Sequence, residues 1–87
     1  MRTVVPLDKI AEAVEKVSES TVSLSTIRGG KCLVSNYEIV GVIMEEIGLY
    51  TAAMLRGDEA LCQKKLTDVA RAATFGLACQ LAKTVDS

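Results

Sequence analysis

One segment of the chain, at residues 69–82, is apolar around almost its whole circumference when drawn as a helix; it reads VARAATFGLACQLA. Such a helix is buried on several sides in a folded protein, because no face of it carries the polar groups that favour contact with water. The chain has 87 residues, which suffices for one domain with a modest core. We therefore expect a second copy of the chain to cover part of this helix.

Two long helices are predicted over residues 36–55 and 59–83, joined by a short corner. Ser35 and Glu38 have the spacing of a capping box at the start of the first of these helices. Gly57 suits the left-handed conformation that ends a helix, and Asp58 is a typical N-cap for the next one. A corner as short as residues 56–58 forces the two helices into an antiparallel hairpin.

A shorter helix is predicted over residues 8–20, where apolar residues recur at helical spacing. These residues are Ile10, Val14 and Val17. The following stretch, residues 21–34, carries mixed signals. Val22 and Leu24 alternate with Ser and Thr as in a strand, and a Gly-Gly pair indicates a turn. An irregular connection, a small β-hairpin and a continuation of the first helix all remain open here.

The predicted fold class is all-α: an antiparallel helical hairpin plus an N-terminal helix, assembling into an oligomeric helical bundle. Aromatic residues make up 3% of the chain and Trp is absent, so the core must be built from small and aliphatic side chains. We expect a homodimer or a homotetramer. The predicted contact between chains is a strip along the third helix, formed by Val69, Ala73, Leu77 and Leu81.

Composition and charge exclude several classes of function. Ten basic residues face eleven acidic ones without a basic run, which argues against nucleic acid as a partner. Glu45 and Glu46 interrupt the most apolar long segment, so it is not a membrane span. The N-terminus lacks the apolar stretch of a signal peptide, and we expect a cytoplasmic protein. Lys64 and Arg71 are expected to be solvated charges.

Three cysteines, Cys32, Cys62 and Cys79, are widely spaced, and the chain has no His. This set is too small for a zinc site of the usual kind. We expect reduced thiols that serve as small core residues, which is typical of a reducing compartment.

Two acids lie on the predicted apolar faces of the hairpin. Glu46 falls within the apolar stripe of the second helix, and Asp68 falls within that of the third, one turn after Lys65. A buried carboxylate without a partner is costly. We therefore expect Lys65 to lie between Glu46 and Asp68 and to neutralise both, as one charge cluster.

This hairpin resembles the core of the MazG-like, all-α nucleoside triphosphate pyrophosphohydrolases over about residues 38–82. Glu45 and Glu46 in MEEIGLY match the paired glutamates of the family's EExxE motif, and Asp68 in KKLTDVA matches the final aspartate of its ExxD motif. The resemblance implies a Mg²⁺ site that binds the nucleotide phosphates and activates water. The metal ligands it implies here are Glu46 and Asp68, with Glu45 as a further candidate.

The chain departs from the family at two ligand positions, since Leu49 replaces the third glutamate and Lys65 replaces the glutamate of ExxD. A protonated lysine repels Mg²⁺, so no cofactor is expected unless other ligands complete the site. Three functions remain open. The first is a non-catalytic relative of the pyrophosphohydrolases, a helical oligomer that binds a nucleotide or a protein partner or has lost ligand binding. The second is a helical interaction module unrelated to nucleotides. The third is an active pyrophosphohydrolase with ligands from Glu38, Glu45 or a second subunit.

Overall fold

Three α-helices run through the residues that the structure describes, which are 2–83 and 85. The structure is a computed structural model. α1 spans Leu7–Ile27, α2 spans Asn36–Arg56 and α3 spans Glu59–Leu81, and no strand lies among these described residues. The all-α prediction is therefore confirmed.

α1 continues to Ile27, well beyond the predicted end at residue 20. Thr21 Oγ1 donates to the carbonyl of Val17 at 2.7 Å, and the Thr26 hydroxyl donates to a carbonyl one turn earlier. These bonds keep both hydroxyl groups paired with carbonyls of the helix itself, which makes a Ser- and Thr-rich stretch compatible with a helix. The β-hairpin interpretation of residues 21–34 is wrong, and the irregular connection is confined to residues 28–35.

Glycines end α1 and α2 in the same way. Gly29 and Gly57 have φ angles of 64° and 71°, in the left-handed region that glycine adopts without steric cost. The amide that follows each glycine donates back to a carbonyl five residues earlier, at 2.8 Å after α1 and 3.4 Å after α2. This pattern is the Schellman motif, and it satisfies carbonyls that a helix end leaves free.

The starts of α2 and α3 are capped by side chains, as predicted. Ser35 Oγ accepts a hydrogen bond from the backbone N–H of Glu38 at 3.1 Å. Asp58 Oδ1 accepts one from the N–H of Leu61 at 3.0 Å. At its other end α3 stops at Leu81 rather than at residue 83, because Lys83 adopts a left-handed conformation with φ 59°.

α3 is the central helix, with α2 on one flank and α1 on the other. α2 and α3 form the antiparallel hairpin, whereas α1 runs parallel to α3: Ser20 contacts Arg71, and Arg28 at the end of α1 lies over Phe75. No Cα atoms of α1 and α2 approach within 8 Å among the described residues. α1 and α2 therefore flank α3 without contacting each other, and we call this three-helix arrangement the layer, although its smallest dimension of 26 Å shows that the helices cross rather than lie flat.

The core is small and lies at one end of this layer. Leu33, Ile39, Phe75 and Cys79 form its buried cluster, which joins the connection to the start of α2 and the end of α3. Farther along the hairpin towards the corner, the buried residues are Ala53 of α2 and Ala72 of α3. Gly76 packs so closely against Ile39 that a Cβ on the glycine would lie 2.8 Å from Ile39 Cγ2. No residue of α1 is buried.

Candidate functional site

A cavity of about 90 Å³ lies where α2, α3 and the end of α1 meet. Its floor is apolar and includes Phe75, whereas four charged residues reach its wall: Arg28, Glu46, Asp68 and Arg71. Two acids and two bases thus share one small enclosed space, which makes this cavity the candidate site.

The register of the hairpin brings the two acids to the same level. Ile39 of α2 lies against Gly76 of α3, and the helices run in opposite directions. Seven residues from this contact towards the corner are Glu46 on α2 and residue 69 on α3. Glu46 therefore lies level with residue 69 and beside Asp68. The same register brings residue 49 level with residue 66, one turn towards the corner.

Glu46 occupies the buried face of α2. It is separated by seven residues, or about two turns, from Ile39 on one side and from Ala53 on the other, and both of these are buried. The Oε2 atom of Glu46 is enclosed and has no hydrogen-bond partner among the described residues. A carboxylate oxygen enclosed in this way is costly unless a hydrogen bond replaces its solvation by water.

Asp68 has two cationic neighbours, both from its own helix. Lys65 Nζ lies 3.8 Å from Asp68 Oδ2, and Arg71 Nη2 lies 3.5 Å from Asp68 Oδ1. Only 13% of the Asp68 side chain is exposed, against 24% for Lys65 and 26% for Arg71. The Arg71 Nη1 group also donates to Ser20 Oγ at 3.4 Å, which connects the site to α1.

The structure pairs Lys65 with one of the two acids between which it was predicted to lie. Lys65 reaches Asp68, but no ion pair within 4.0 Å joins it to Glu46 in the described part of the chain. The register explains this difference, since Lys65 lies one turn nearer the corner than the level of Glu46. Helical side chains also lean towards the N-terminus of their helix, which carries the ammonium group farther away.

Arg28 and Arg71 supply the positive charges that line the cavity, and neither was predicted from the sequence to belong to the site. Arg71 was expected to be solvated, although its i+3 spacing from Asp68 is a signal for pairing. Arg28 gave no such signal, because it reaches the cavity from the end of α1. Its guanidinium lies 5.5 Å from the centre of the Phe75 ring, and its Nε donates to the carbonyl of Lys31 at 3.0 Å.

The predicted metal ligands are a pair rather than a cluster. Glu46 and Asp68 line the same cavity, whereas Glu45 is exposed on another side of α2. Within residues 2–83 and 85, no group of three or more His, Cys, Asp or Glu residues is arranged to hold a metal ion. Leu49 and Lys65 stand at the two positions where the family resemblance would require further acids.

Three of the four residues of the strip predicted to contact a second chain, Ala73, Leu77 and Leu81, are exposed on α3. Val69 is half-buried, and Ala73 is exposed. Leu77 and Leu81 are 54% and 74% exposed. Leu66 extends the same strip towards the corner and is 51% exposed.

No family model, no curated protein and no solved structure matches the chain. Among the residues described, no helix combines the length and the apolar character needed to cross a lipid bilayer.

Proposed function

We propose that this protein is a self-assembling helical protein, a non-catalytic relative of the MazG-like pyrophosphohydrolases in which two or more copies bury a shared apolar face. One observation carries the proposal. The chain exposes 6563 Å², whereas a folded monomer of 9.3 kDa exposes about 5000 Å². The excess of about 1600 Å² per chain falls in the range that one subunit contributes to an obligate interface.

The dimensions of the protomer agree with this excess. Its radius of gyration is 14.4 Å, and a compact domain of this length has one of about 12 Å. Because α1 and α2 do not contact each other among the described residues, the three helices enclose only a small core, and apolar residues of all three remain exposed. A second layer, supplied by another copy, would complete the bundle.

The uncovered apolar strips of α2 and α3 lie on the same side of the layer. On α3, the strip of Leu66, Ala73 and Leu77 lies about a third of a turn around the helix from the residues that face α2, in the direction in which the helix winds from its N-terminus to its C-terminus. On α2, Met44, Ile47 and Met54 follow Ile39 and Glu46 by a similar rotation. Because the two helices are antiparallel, equal rotations away from their contact bring both strips to one face of the hairpin.

α1 extends this apolar face on the other flank of α3. One groove between α1 and α3 is lined by Val17 and Leu66, and the adjoining groove is lined by Val14 and Val17. Val14 is 64% exposed. A second copy would cover all three strips at once, which is why we choose this chain itself as the occupant.

Sedimentation velocity and light scattering at micromolar concentration test the assembly. The wild type should be a dimer or a tetramer, and Leu77→Glu should weaken association at least tenfold, because it adds a charge to the centre of the face. Leu49→Glu is the matched control. Leu49 is 44% exposed but lies on the opposite side of α2. Circular dichroism shows whether each variant remains helical.

A helical wild-type monomer at micromolar concentration would refute the proposed assembly. Dissociation by Leu49→Glu but not by Leu77→Glu would instead move the interface to the opposite face of the layer.

The non-catalytic part of the proposal rests on the charges around Asp68. Lys65 and Arg71 both lie within 4 Å of its carboxylate, so two cations already neutralise the acid that would bind Mg²⁺. We therefore expect no release of pyrophosphate from nucleoside triphosphates above the level of an Asp68→Ala control. Release above that control would show that Glu38, Glu45 or a second subunit completes an active site.

The relation to the pyrophosphohydrolases has its own test. The register of the hairpin brings positions 46, 49, 65 and 68 together on facing turns of α2 and α3. The double variant Leu49→Glu, Lys65→Glu would therefore hold four carboxylates, a set of oxygen ligands that suits Mg²⁺. Mg²⁺ should raise the melting temperature of the double variant and leave that of the wild type unchanged. No response in the double variant would remove the support for the relation.

Nucleotide binding separates the two non-catalytic alternatives. A nucleotide-binding relative of the pyrophosphohydrolases should gain thermal stability from a nucleoside triphosphate, with or without Mg²⁺. A module unrelated to nucleotides should show no shift with any member of the panel.

A further inference from the structure

Two of the three cysteines meet at the core end of the layer. Cys79 of α3 is 2% exposed, and its Sγ atom accepts a hydrogen bond from the backbone N–H of Leu33 at 3.4 Å. The neighbouring residue of the connection, Cys32, is half-buried and packs against the cluster that contains Cys79. The packing of the connection against α3 thus brings the Cys32 and Cys79 thiols together, although 47 positions of sequence separate them.

The environment of Cys79 reflects this proximity. Burial is the main cause that raises its pKa above the ordinary value of 9.0, and the adjacent Cys32 thiol raises it further. The hydrogen bond from Leu33 and the charge of Arg28 act in the opposite direction. The protonated, enclosed Cys79 is therefore a poor first nucleophile, whereas Cys32 is accessible from solvent.

We propose that Cys32 and Cys79 are a thiol modification site, which small-molecule disulfides such as oxidised glutathione convert into an intramolecular disulfide. In the first step the Cys32 thiolate attacks one sulfur of the reagent and releases one thiol. In the second step the Cys79 thiolate attacks the Cys32 sulfur of this mixed disulfide and releases the second thiol. The reagent is reduced to two thiols, and the protein loses two hydrogens.

Cys62 provides an internal control within the same chain. It lies on α3 at the end near the corner, 17 positions before Cys79, which corresponds to about 25 Å along the helix. This distance is too long for a disulfide with either of the other cysteines. Cys62 should therefore remain a free thiol or carry a glutathione adduct.

The disulfide would fasten the connection to α3. Residues 28–35 are held there by the packing of Leu33 and by the contact of Arg28 with Phe75. A covalent bond that closes a loop of this length removes entropy from the unfolded chain, so the oxidised protein should melt at least about 10 °C above the reduced one. The proposal is independent of self-assembly, because both thiols belong to one protomer.

Mass spectrometry of the full chain, incubated with oxidised glutathione and then alkylated, tests the proposal. Trypsin places each cysteine in its own peptide, residues 32–56, 57–64 and 72–83. We expect the first and third peptides to be linked in most molecules, with a non-reducing gel showing no covalent dimer. In Cys79→Ser, a glutathione adduct on Cys32 should accumulate instead. In Cys32→Ser, oxidation of Cys79 should be at least tenfold slower than in the wild type.

As a control, the same oxidation is carried out on protein unfolded in urea, where the fold does not determine which cysteines pair. There the three possible pairs should form in comparable amounts. A stable glutathione adduct on Cys32 in the folded wild type would overturn the proposal, as would a link from Cys62 or an unchanged melting temperature of the linked protein.

Discussion

The close contact between Gly76 of α3 and Ile39 of α2 gives the sharpest stability prediction, which is the substitution Gly76→Ala. The new Cβ would lie 2.8 Å from Ile39 Cγ2, 3.4 Å from Cγ1 and 3.5 Å from Cδ1. Cγ2 is bonded directly to the branched Cβ of isoleucine, whose χ1 angle is stiff, so the methyl group cannot move away alone. Overpacking of this kind costs about 1–3 kcal/mol.

Helix propensity acts in the opposite direction, since Ala is favoured over Gly in a helix by about 1 kcal/mol. The net effect of Gly76→Ala should be a loss of up to about 2 kcal/mol. Gly48→Ala on α2 is the matched control, because a Cβ at Gly48 meets nothing within 4 Å. This variant should gain about 1 kcal/mol, so the two variants should differ by the steric cost alone.

Thermal unfolding at one fixed protein concentration measures this difference. For a domain of this size, 1 kcal/mol corresponds to about 4–8 °C, so Gly76→Ala should melt about 4–24 °C below Gly48→Ala. The background Ile39→Leu, which removes the branch at Cβ, should abolish most of the difference. If Gly76→Ala were as stabilising as Gly48→Ala in the wild-type background, the contact between Ile39 and Gly76 would be refuted.

Three further predictions concern the site and the helix start, and thermal unfolding checks each of them. Glu46→Met should stabilise the protein by about 1 kcal/mol, because it removes a buried oxygen that has no hydrogen-bond partner among the described residues; a loss of stability would show that the carboxylate is satisfied. Lys65→Met should lower the free energy of unfolding by less than about 1 kcal/mol, because Arg71 still pairs with Asp68. Arg71→Met should lower it by more, because this substitution also removes the hydrogen bond to Ser20. A larger loss in Lys65→Met than in Arg71→Met would contradict this arrangement. Asp58→Ala should cost about 1 kcal/mol through the lost N-cap of α3, whereas a neutral result would mean that the cap contributes nothing.

The hairpin was predictable because its signals are local. Ser35, Gly57 and Asp58 each act on a helix end within a few residues of themselves, so their effect can be read without knowing the rest of the fold. The end of α1 was not predictable in this way. Alternating Val22 and Leu24 fit a strand and a helix equally over so short a stretch, and the hydroxyl groups of Thr21 and Thr26 find partners within the helix that the sequence pattern does not reveal.

The same distinction between local signals and helix packing applies to the charged residues of the site. The position of Glu46 on an apolar face followed from its spacing to Ile39, which is a local property of one helix. Its neighbours did not follow, because they depend on how the helices pack. Arg28 comes from the end of another helix, and the level of Lys65 relative to Glu46 depends on a register that only the contact of Ile39 with Gly76 fixes.

Assembly and stability are coupled in a protomer with so small a core. Only Leu33, Ile39, Ala53, Ala72, Phe75 and Cys79 are buried apolar residues in the part of the chain that the structure describes. A core of this size contributes little to stability by itself. The enclosed Oε2 atom of Glu46, which has no hydrogen-bond partner among the described residues, lowers that contribution further. Most of the remaining apolar surface becomes buried only when a second copy binds. The melting temperature should therefore rise with protein concentration, as mass action requires of a folded state stabilised by association. In Leu77→Glu this dependence should disappear together with the oligomer.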